Sequence, residues 1–265
     1  MEKLADITAL VLTKDGERLL GKCLASLEFC GRILVVDSES TDSTQEIAAQ
    51  AGAEVMVRPW PGPVDQFRFA LEQISSQWVL SLDQDEWLDK ELIETVKATI
   101  QSPPQADVDL AGYYLNRRSY YFDRFLSHSG WYPDPLLRLF RLGHMEVTAS
   151  GPHYSFQPQG RTRRLKAGDI LHVPYKDLAE HWDKMNSYTS QAAADLRAKG
   201  KKGGLLSAMA HGLGRFFKVY VMRRGFLDGK AGFILALHAF FYGFHKYLRA
   251  AEPKKEPEEF SSPGD

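Results

Sequence analysis

At 265 residues the chain is long enough for one sizeable core, or for a core with an appended helical region. With 44% hydrophobic, 25% charged and 12% aromatic residues it is not disordered, collagen-like or disulfide-stapled. A net charge of −1 excludes a chain built as a whole for nucleic acid, but residues 197–249 carry eleven Lys and Arg against one acid, Asp228, so that segment is +10 and the remainder −11.

The first hundred residues alternate strand and helix signals. Ile7–Thr13 is a short apolar, β-branched run, and Arg18–Glu28 follows helical spacing with Leu19, Leu20, Cys23, Leu24 and Leu27 on one face. Arg32–Asp37 is a second buried strand that ends on an acid. The next helix takes Ser40, Thr41 or Asp42 as its N-cap and Gly52 as its stop. Glu54–Arg58 is a third strand, Val64–Ile74 a helix, and Trp78–Leu82 a fourth strand running into Asp83-Gln84-Asp85-Glu86. Asp89–Ile100 closes the set as a helix. Strands separated by helices of this length predict an α/β fold with a mainly parallel, doubly wound sheet. Ligands of such sheets bind at the carboxyl ends of strands, where Asp37 and Asp83-Gln84-Asp85 fall.

Residues 101–109 read as a loop. Residues 110–175, rich in Tyr, Trp, Pro and Arg, read as a strand-and-loop extension with strands at Gly112–Arg117, Leu136–Arg141 and Asp169–Val173. From Asp177 to about residue 249 the pattern is helical, and 251–265 has the composition of a disordered tail. The expected division is therefore 1–175 for a catalytic domain (1–101 and 110–175), 176–250 for a helical region, and 251–265 for the tail. Cys23 and Cys30 have neither metal spacing nor a secreted framework and read as buried free thiols in a reducing compartment. Met1–Ile7 shows no apolar signal core.

Two carboxylates one residue apart on a turn leaving a strand can place hard oxygen ligands beside a divalent cation, although D-x-D alone recurs in many surface loops. Here the context is larger. Val35–Thr44 (VVDSESTDST) resembles the "VVDSxSTDxT" segment of glycosyltransferase family 2, and Trp78–Trp87 (WVLSLDQDEW) resembles its "WVLxLDADE" segment, with Gln84 where Ala is commoner. Gly130–Asp134 followed by Leu137–Arg141 resembles the "GWYPD…LRLFR" block of the subgroup that includes lipopolysaccharide inner-core β-1,4-glucosyltransferases. Lys184, Asn186, Tyr188 and Arg224–Gly229 match that subgroup's C-terminal signature.

The resemblance covers roughly residues 5–250. It implies a GT-A fold, an inverting transfer, a UDP-sugar donor (UDP-glucose first) and a divalent metal, Mg²⁺ or Mn²⁺. Carried over residue by residue, Asp37 would accept from the donor's base, Thr13 and Asp42 would line the nucleotide pocket, Asp83 would lie near ribose or metal, and Asp85 would ligate the metal. His172, after a strand-like run, reads either as a completing metal ligand or as a satisfied core histidine. Two positions depart from the family pattern. The first strand ends Thr13-Lys14-Asp15-Gly16 where "AKNE" is usual, and His153-Tyr154 stands where "HE" is usual. With that carboxylate missing, the general base that inversion needs is expected from Asp134, then Glu86, then Asp169. Trp131 and Tyr132 read as loop packing or as faces for a sugar. Arg138 and Arg141 read as anion ligands or as a solvated strand face.

Leu206, Met209, Leu213, Phe216 and Tyr220 recur at helical spacing, as do Phe233, Leu237, Phe240, Phe244 and Tyr247. The longest apolar stretch, Ala231–Phe244, is too short for the ~20 residues of a membrane span. Basic helices of this kind suit an anionic membrane surface through 201–249, and the other use for them is internal packing or a homodimer seam. The expected protein is a cytoplasmic enzyme, peripheral on the inner face of a bacterial inner membrane, moving a hexose to a lipid-linked glycan such as lipopolysaccharide core. The alternatives are a family-2 transferase for another envelope polysaccharide and a non-catalytic nucleotide-sugar-binding homologue.

Overall fold

The computed structural model describes residues 3–101, 109–150 and 153–252. Most of the loop expected at 101–109 and of the tail expected at 251–265 lies outside these residues. The chain forms two compact units. The first takes the residues up to Tyr120 together with Tyr132–Pro174, and the second takes Tyr121–Trp131 and everything from Tyr175 onward.

The first unit opens with β1 (Leu4–Thr13), α1 (Leu20–Ala25), β2 (Cys30–Asp37), α2 (Thr44–Gln50), β3 (Glu54–Val57), α3 (Pro63–Glu72), β4 (Trp78–Asp83), β5 (Glu86–Leu88) and α4 (Lys90–Gln101). Then come β6 (Leu110–Tyr121), β8 (Asp134–Arg141), β9 (Met145–Ser150), β10 (His153–Pro158), β11 (Arg161–Arg164) and β12 (Ile170–His172), while β7 (Arg124–Phe125) falls in the second unit. The main sheet runs β3-β2-β1-β4-β8-β6-β12-β5. Neighbours among β3, β2, β1 and β4 are parallel, as are β6 and β12, whereas β8 is antiparallel to both β4 and β6. The mainly parallel α/β sheet expected from the alternation is thus present.

β1 is central and covered on both sides, which is why it reads as a continuous apolar run rather than an alternating one. Its pleat sends alternate residues to opposite layers. Ile7, Ala9 and Val11 join Leu20, Leu24, Leu92 and Val96, while Leu10 joins Phe67, Ala70, Phe140 and Phe156. Sequence reading missed β5, β7, β9, β10 and β11. β5 and β7 are two or three residues long and β11 (Arg-Thr-Arg-Arg) is a polar strand laid parallel to β6, whereas β9 and β10 do alternate, with Met145, Val147, Tyr154 and Phe156 turned to the core, and were overlooked.

The second unit contains α5 (Leu178–Ala198), α6 (Leu205–Phe217), a π turn at Lys218–Met222, a 3₁₀ turn at Gly225–Asp228 and α7 (Gly229–Ala251). Asp177 caps α5 by accepting from the Glu180 N–H at 2.9 Å. The Arg224–Gly229 signature is a folding device: a Cβ on Gly232 would lie 1.9 Å from the Gly225 carbonyl oxygen, so that contact admits no side chain. Asp228 is buried and accepts from the Ser127 and His128 backbone N–H groups (3.0 and 3.1 Å) and from Ser129 Oγ (2.6 Å). Among the described residues no helix is long and apolar enough to cross a membrane.

Candidate active site

The carboxyl ends of β1, β2 and β4 surround a pocket of about 580 Å³ lined by Leu12, Thr13, Lys14, Ser38, Glu39, Trp60, Asp83, Gln84 and Tyr154. Parallel strands deliver their C-terminal residues to one edge, and the registers Thr13 with Asp37 and Leu12 with Asp83 bring three chain segments together there. The two departures noted in the first half of the sequence form one contact. Gln84 Oε1 accepts from Thr13 Oγ1 and from the Lys14 N–H (2.9 Å), and its Nε2 donates to the Lys14 carbonyl (3.0 Å). A Cβ at Gly16 would sit 2.5 Å from Gln84 Oε1, so the unusual glycine makes room for the unusual glutamine.

Two expected nucleotide contacts are not brought to this pocket. Asp37 is fully buried. It accepts from the Ser40 hydroxyl, the Ser40 N–H (3.0 Å) and Gln45 Nε2 (2.8 Å), so its carboxylate organises the turn into α2. Asp42 accepts from Thr44 N–H (3.0 Å), Thr44 Oγ1 and Glu17 N–H (3.1 Å), which ties the β1 loop to α2. Short acids just before a helix take local hydrogen bonds: Asp42 meets the first α2 amide, at Thr44, while Asp37 ties Ser40 of the preceding turn to the Gln45 side chain. The pocket wall falls instead to Ser38 and Glu39.

Below the pocket a chain of alternating charges crosses three strands. Arg138 on β8, 4% exposed, meets Asp83 Oδ2 at 2.5 Å and both Glu86 oxygens at 2.9–3.0 Å. It is neither a solvated strand residue nor a free anion ligand. Arg117 on β6 donates to Glu86 Oε1 (3.0 Å) and, through Nε and Nη2, to Asp134 Oδ2 (3.0 and 2.7 Å). Tyr154, the residue in place of the expected acid, donates its hydroxyl to Asp83 Oδ1 at 2.6 Å and accepts from Arg138 Nη1. Burial lifts the Tyr154 phenol well above its ordinary value, so it stays a donor. Partial burial would lift the Asp83 carboxyl too, but the Arg138 guanidinium and the Tyr154 hydroxyl outweigh that and hold it below the usual range.

Glu86 is wholly buried with both oxygens engaged, the Asp83 N–H adding a bond at 3.1 Å. Asp134 has a side chain 36% exposed, and its Oδ1 has no hydrogen-bond partner among the described residues. Asp169 is held by Arg118 (2.8 Å) and the Tyr132 hydroxyl (3.1 Å), and burial raises its carboxyl above the ordinary range. A second pocket of about 480 Å³, lined among others by Arg117, Arg138 and Gln157, shares Asp83 and Tyr154 with the first.

Asp85 stands apart from this chain of pairs. Its Oδ2 lies 3.6 Å from His172 Nε2, and the other ring nitrogen of His172 is hydrogen-bonded to Ser119 Oγ at 2.9 Å. Antiparallel pairing of β5 with β12 sets His172 opposite Glu86, one residue from Asp85. Among the described residues no group of three or more His, Cys, Asp and Glu is placed to hold a metal. A carboxylate and an imidazole anchored through its far nitrogen nevertheless suit a cation that fills its other positions with water and substrate phosphate oxygens. Asp83 does not join them as folded, because both its oxygens are engaged. In the sequence Tyr154 was marked only by standing where the family pattern has Glu, and Arg117 only as a charge within the strand Gly112–Arg117.

This fold is of the α/β class, with its pocket at the carboxyl ends of parallel strands. The profile described as "Glycosyl transferase family 2" matches residues 9–157, and the chain belongs to that family. The lipopolysaccharide core biosynthesis glycosyltransferase LpsC of Rhizobium meliloti is 30% identical to it, covering 90% of this chain and 89% of that protein. An uncharacterized glycosyltransferase of Rickettsia felis is also 30% identical, covering 95% of this chain and 89% of its own length. A solved structure of glucosyl-3-phosphoglycerate synthase from Mycobacterium tuberculosis, in complex with Mn²⁺ and UDP-glucose, matches 44% of this chain and 44% of its own at 20% identity. Its TM-score is 0.34, too slight a likeness to carry any conclusion here.

Proposed function

We propose that the protein is an inverting, metal-dependent hexosyltransferase that uses a UDP-sugar, UDP-glucose first, and a lipid-linked glycan acceptor such as lipopolysaccharide core. The observation that carries the reading is the Asp85–His172 pair, in a turn whose neighbours Asp83 and Gln84 line the strand-end pocket. The likeness to LpsC supports the class of acceptor.

In this reading Trp60, 53% exposed at the pocket, offers a ring face to the uracil. Thr13, Lys14 and Ser38 line the nucleotide, with Asp37 and Asp42 shaping the wall from behind. Asp85 and His172 would hold Mg²⁺ or Mn²⁺, which when bound neutralises charge developing on the leaving diphosphate. Asp83, locked by Arg138 and Tyr154, sets the floor of the pocket. Asp134 accepts the proton of the attacking acceptor hydroxyl through its free Oδ1, while Arg117 on Oδ2 fixes the carboxylate's direction. Glu86, buried between two arginines, positions them and takes no proton.

The exposed cations and apolar side chains of 201–249 suit an anionic membrane surface, which supports a peripheral enzyme on the cytoplasmic side of the inner membrane. Isothermal titration of UDP-glucose and UDP with Mn²⁺ tests the donor site. The native protein should bind both only with metal, and Asp85→Ala should bind neither while keeping its circular dichroism. Absence of UDP binding in the native protein would sink the reading.

A further inference from the structure

Two helices of the second unit carry apolar residues at helical spacing, and the fold uses them in opposite ways. α7 is spent on packing: of Phe233, Leu237, Phe240, Phe244 and Tyr247 only Phe233 is exposed, and Ala231, Leu235 and Ala236 are buried. α6 is built the other way. Its buried residues are the small Ala208 and Gly212, with Gly212 against the Phe240 ring, while Leu206 is 88%, Leu213 56% and Phe217 55% exposed. At about 100° per residue those three large side chains fall within ~40° of one another, on the side turned away from Ala208 and Gly212. Met209, Val221 and Met222 add to the exposed apolar surface. A helix of a soluble domain turns such a row to the core, and a contiguous apolar patch left outside marks a surface that a partner covers.

From this face we infer that α6 lies in the interface of an anionic bilayer with Leu206, Leu213 and Phe217 below the lipid headgroups, an inference that rests on the peripheral membrane location proposed for the enzyme. Charge identifies the partner. Lys201 and Lys202 precede the helix, Lys218, Arg223 and Arg224 follow it, and all five are exposed, whereas Asp228, the one acid of residues 197–249, is buried. Cations at both ends of an apolar stripe match the phosphates and carboxylates of anionic headgroups around a shallow helix. A second copy fits less well. A two-fold pairing sets the same patch against itself, so in either direction cations would meet cations, with no exposed acid within 197–249 to offset them. Length limits depth: 13 residues make about 20 Å of helix, which lies in the interface and does not cross the bilayer. Embedded side chains hold where salt has screened the charges, which separates insertion from adsorption by the field alone.

Sedimentation of the full chain with vesicles of phosphatidylcholine and phosphatidylserine, at low salt and at about 0.5 M NaCl, tests this. Binding of the native protein should fall with salt but not vanish. Leu206→Ser, Leu213→Ser and Phe217→Ser combined should lower it about a hundredfold at low salt and abolish the salt-resistant part. Circular dichroism should stay unchanged, because all three side chains are exposed. Depth is read from Leu213→Cys carrying an NBD fluorophore, the native Cys23 and Cys30 being buried. Its emission should shift to the blue on vesicles and be quenched more by lipids with a nitroxide on the acyl chain than on the headgroup. Native binding that salt abolishes, binding that the serine variant keeps, or stronger quenching from the headgroup would each overturn insertion and leave a peripheral enzyme in place. A dimer that the serine variant dissolves would give the face to a second copy and overturn insertion as well. No binding to any vesicle would overturn insertion and the membrane location together, while titration of UDP with Mn²⁺ on the same samples reports the donor site independently.

Discussion

In the sheet unit Arg117, Arg118 and Arg138 each meet a carboxylate within 3.0 Å, and Arg138 is almost wholly buried. In the helical unit the single acid of residues 197–249, Asp228, is buried and spent on the 127–129 loop, while Lys201, Lys202, Lys218, Arg223 and Arg224 are exposed and make no ion pair among the described residues. The sheet unit turns charge inward to fix the geometry of a site. The helical unit turns it outward, as a field. A net charge of −1 hides both uses, because the +10 of residues 197–249 is cancelled by the −11 of the rest of the chain.

The contrast can be broken at the buried cluster first. Arg138→Ala strands Asp83 without its cation, leaves buried Glu86 to Arg117 alone, and should cost ~3–5 kcal/mol in a chemical denaturation experiment. A loss below ~1 kcal/mol would mean that the inward charges are not mutually dependent. On the outward side, the triple variant Lys218→Ala, Arg223→Ala, Arg224→Ala should leave stability nearly unchanged. It should weaken sedimentation with phosphatidylserine-containing vesicles by ~3 kcal/mol, about two decades, at low salt. Equal binding to neutral and anionic vesicles would remove the field from the account.

Acid should separate the two units as well. His181 has a folded-state value of about 4, below the ~6.5 of the unfolded chain, so protons favour unfolding. Its contribution is full above pH ~6.5 and is lost as pH falls toward 4, roughly 2 kcal/mol between pH 7 and pH 5. The Asp83 carboxyl, against the effect of its burial, is likewise held below its ordinary value by Arg138 and Tyr154, but being a carboxylate it keeps its contribution until pH drops below about 4. Hydrogen exchange at pH 7 and 5, corrected for intrinsic rates, should therefore show α5 and α7 losing protection while β1 and β4 keep it; the reverse order would contradict the assignment. The smallest effect is expected from Gln84→Ala, which unclasps the loop after β1 and should weaken UDP binding by ~1 kcal/mol in a titration with Mn²⁺. An unchanged affinity would make the Gln84 contact structural ornament.

Much of this was open to a reader of the sequence. The β1–α4 alternation is carried by local period, and the D-x-D turn announces itself because it ends an apolar strand. At Asp37 two demands fall on one position: an acid at a strand end can face a ligand or close the turn into the next helix, and its bonds to Ser40 and Gln45, which serve the turn, could not be read from the sequence. The Arg138–Asp83–Glu86–Arg117 chain depends on β8 inserting between β4 and β6, partners more than thirty residues apart, which no local pattern encodes. Its one trace is an arginine inside the run Leu136–Phe140, a charge that an apolar strand tolerates only if it is paired. The site of Tyr154 was marked by its departure from the family pattern, but its hydrogen bond to Asp83 was not.

The place of β8 in the sheet also bears on how the protein is made. Residues 78–88 leave the ribosome well before 134–141, so for some fifty residues of synthesis β4 has an open edge and the Asp83 carboxylate lacks its Arg138 partner. An unpaired strand edge is a template for wrong partners. The nascent chain is therefore most exposed to mispairing and to chaperone capture in that interval, and arrival of β8 closes the edge and brings Arg138 to Asp83 in one event.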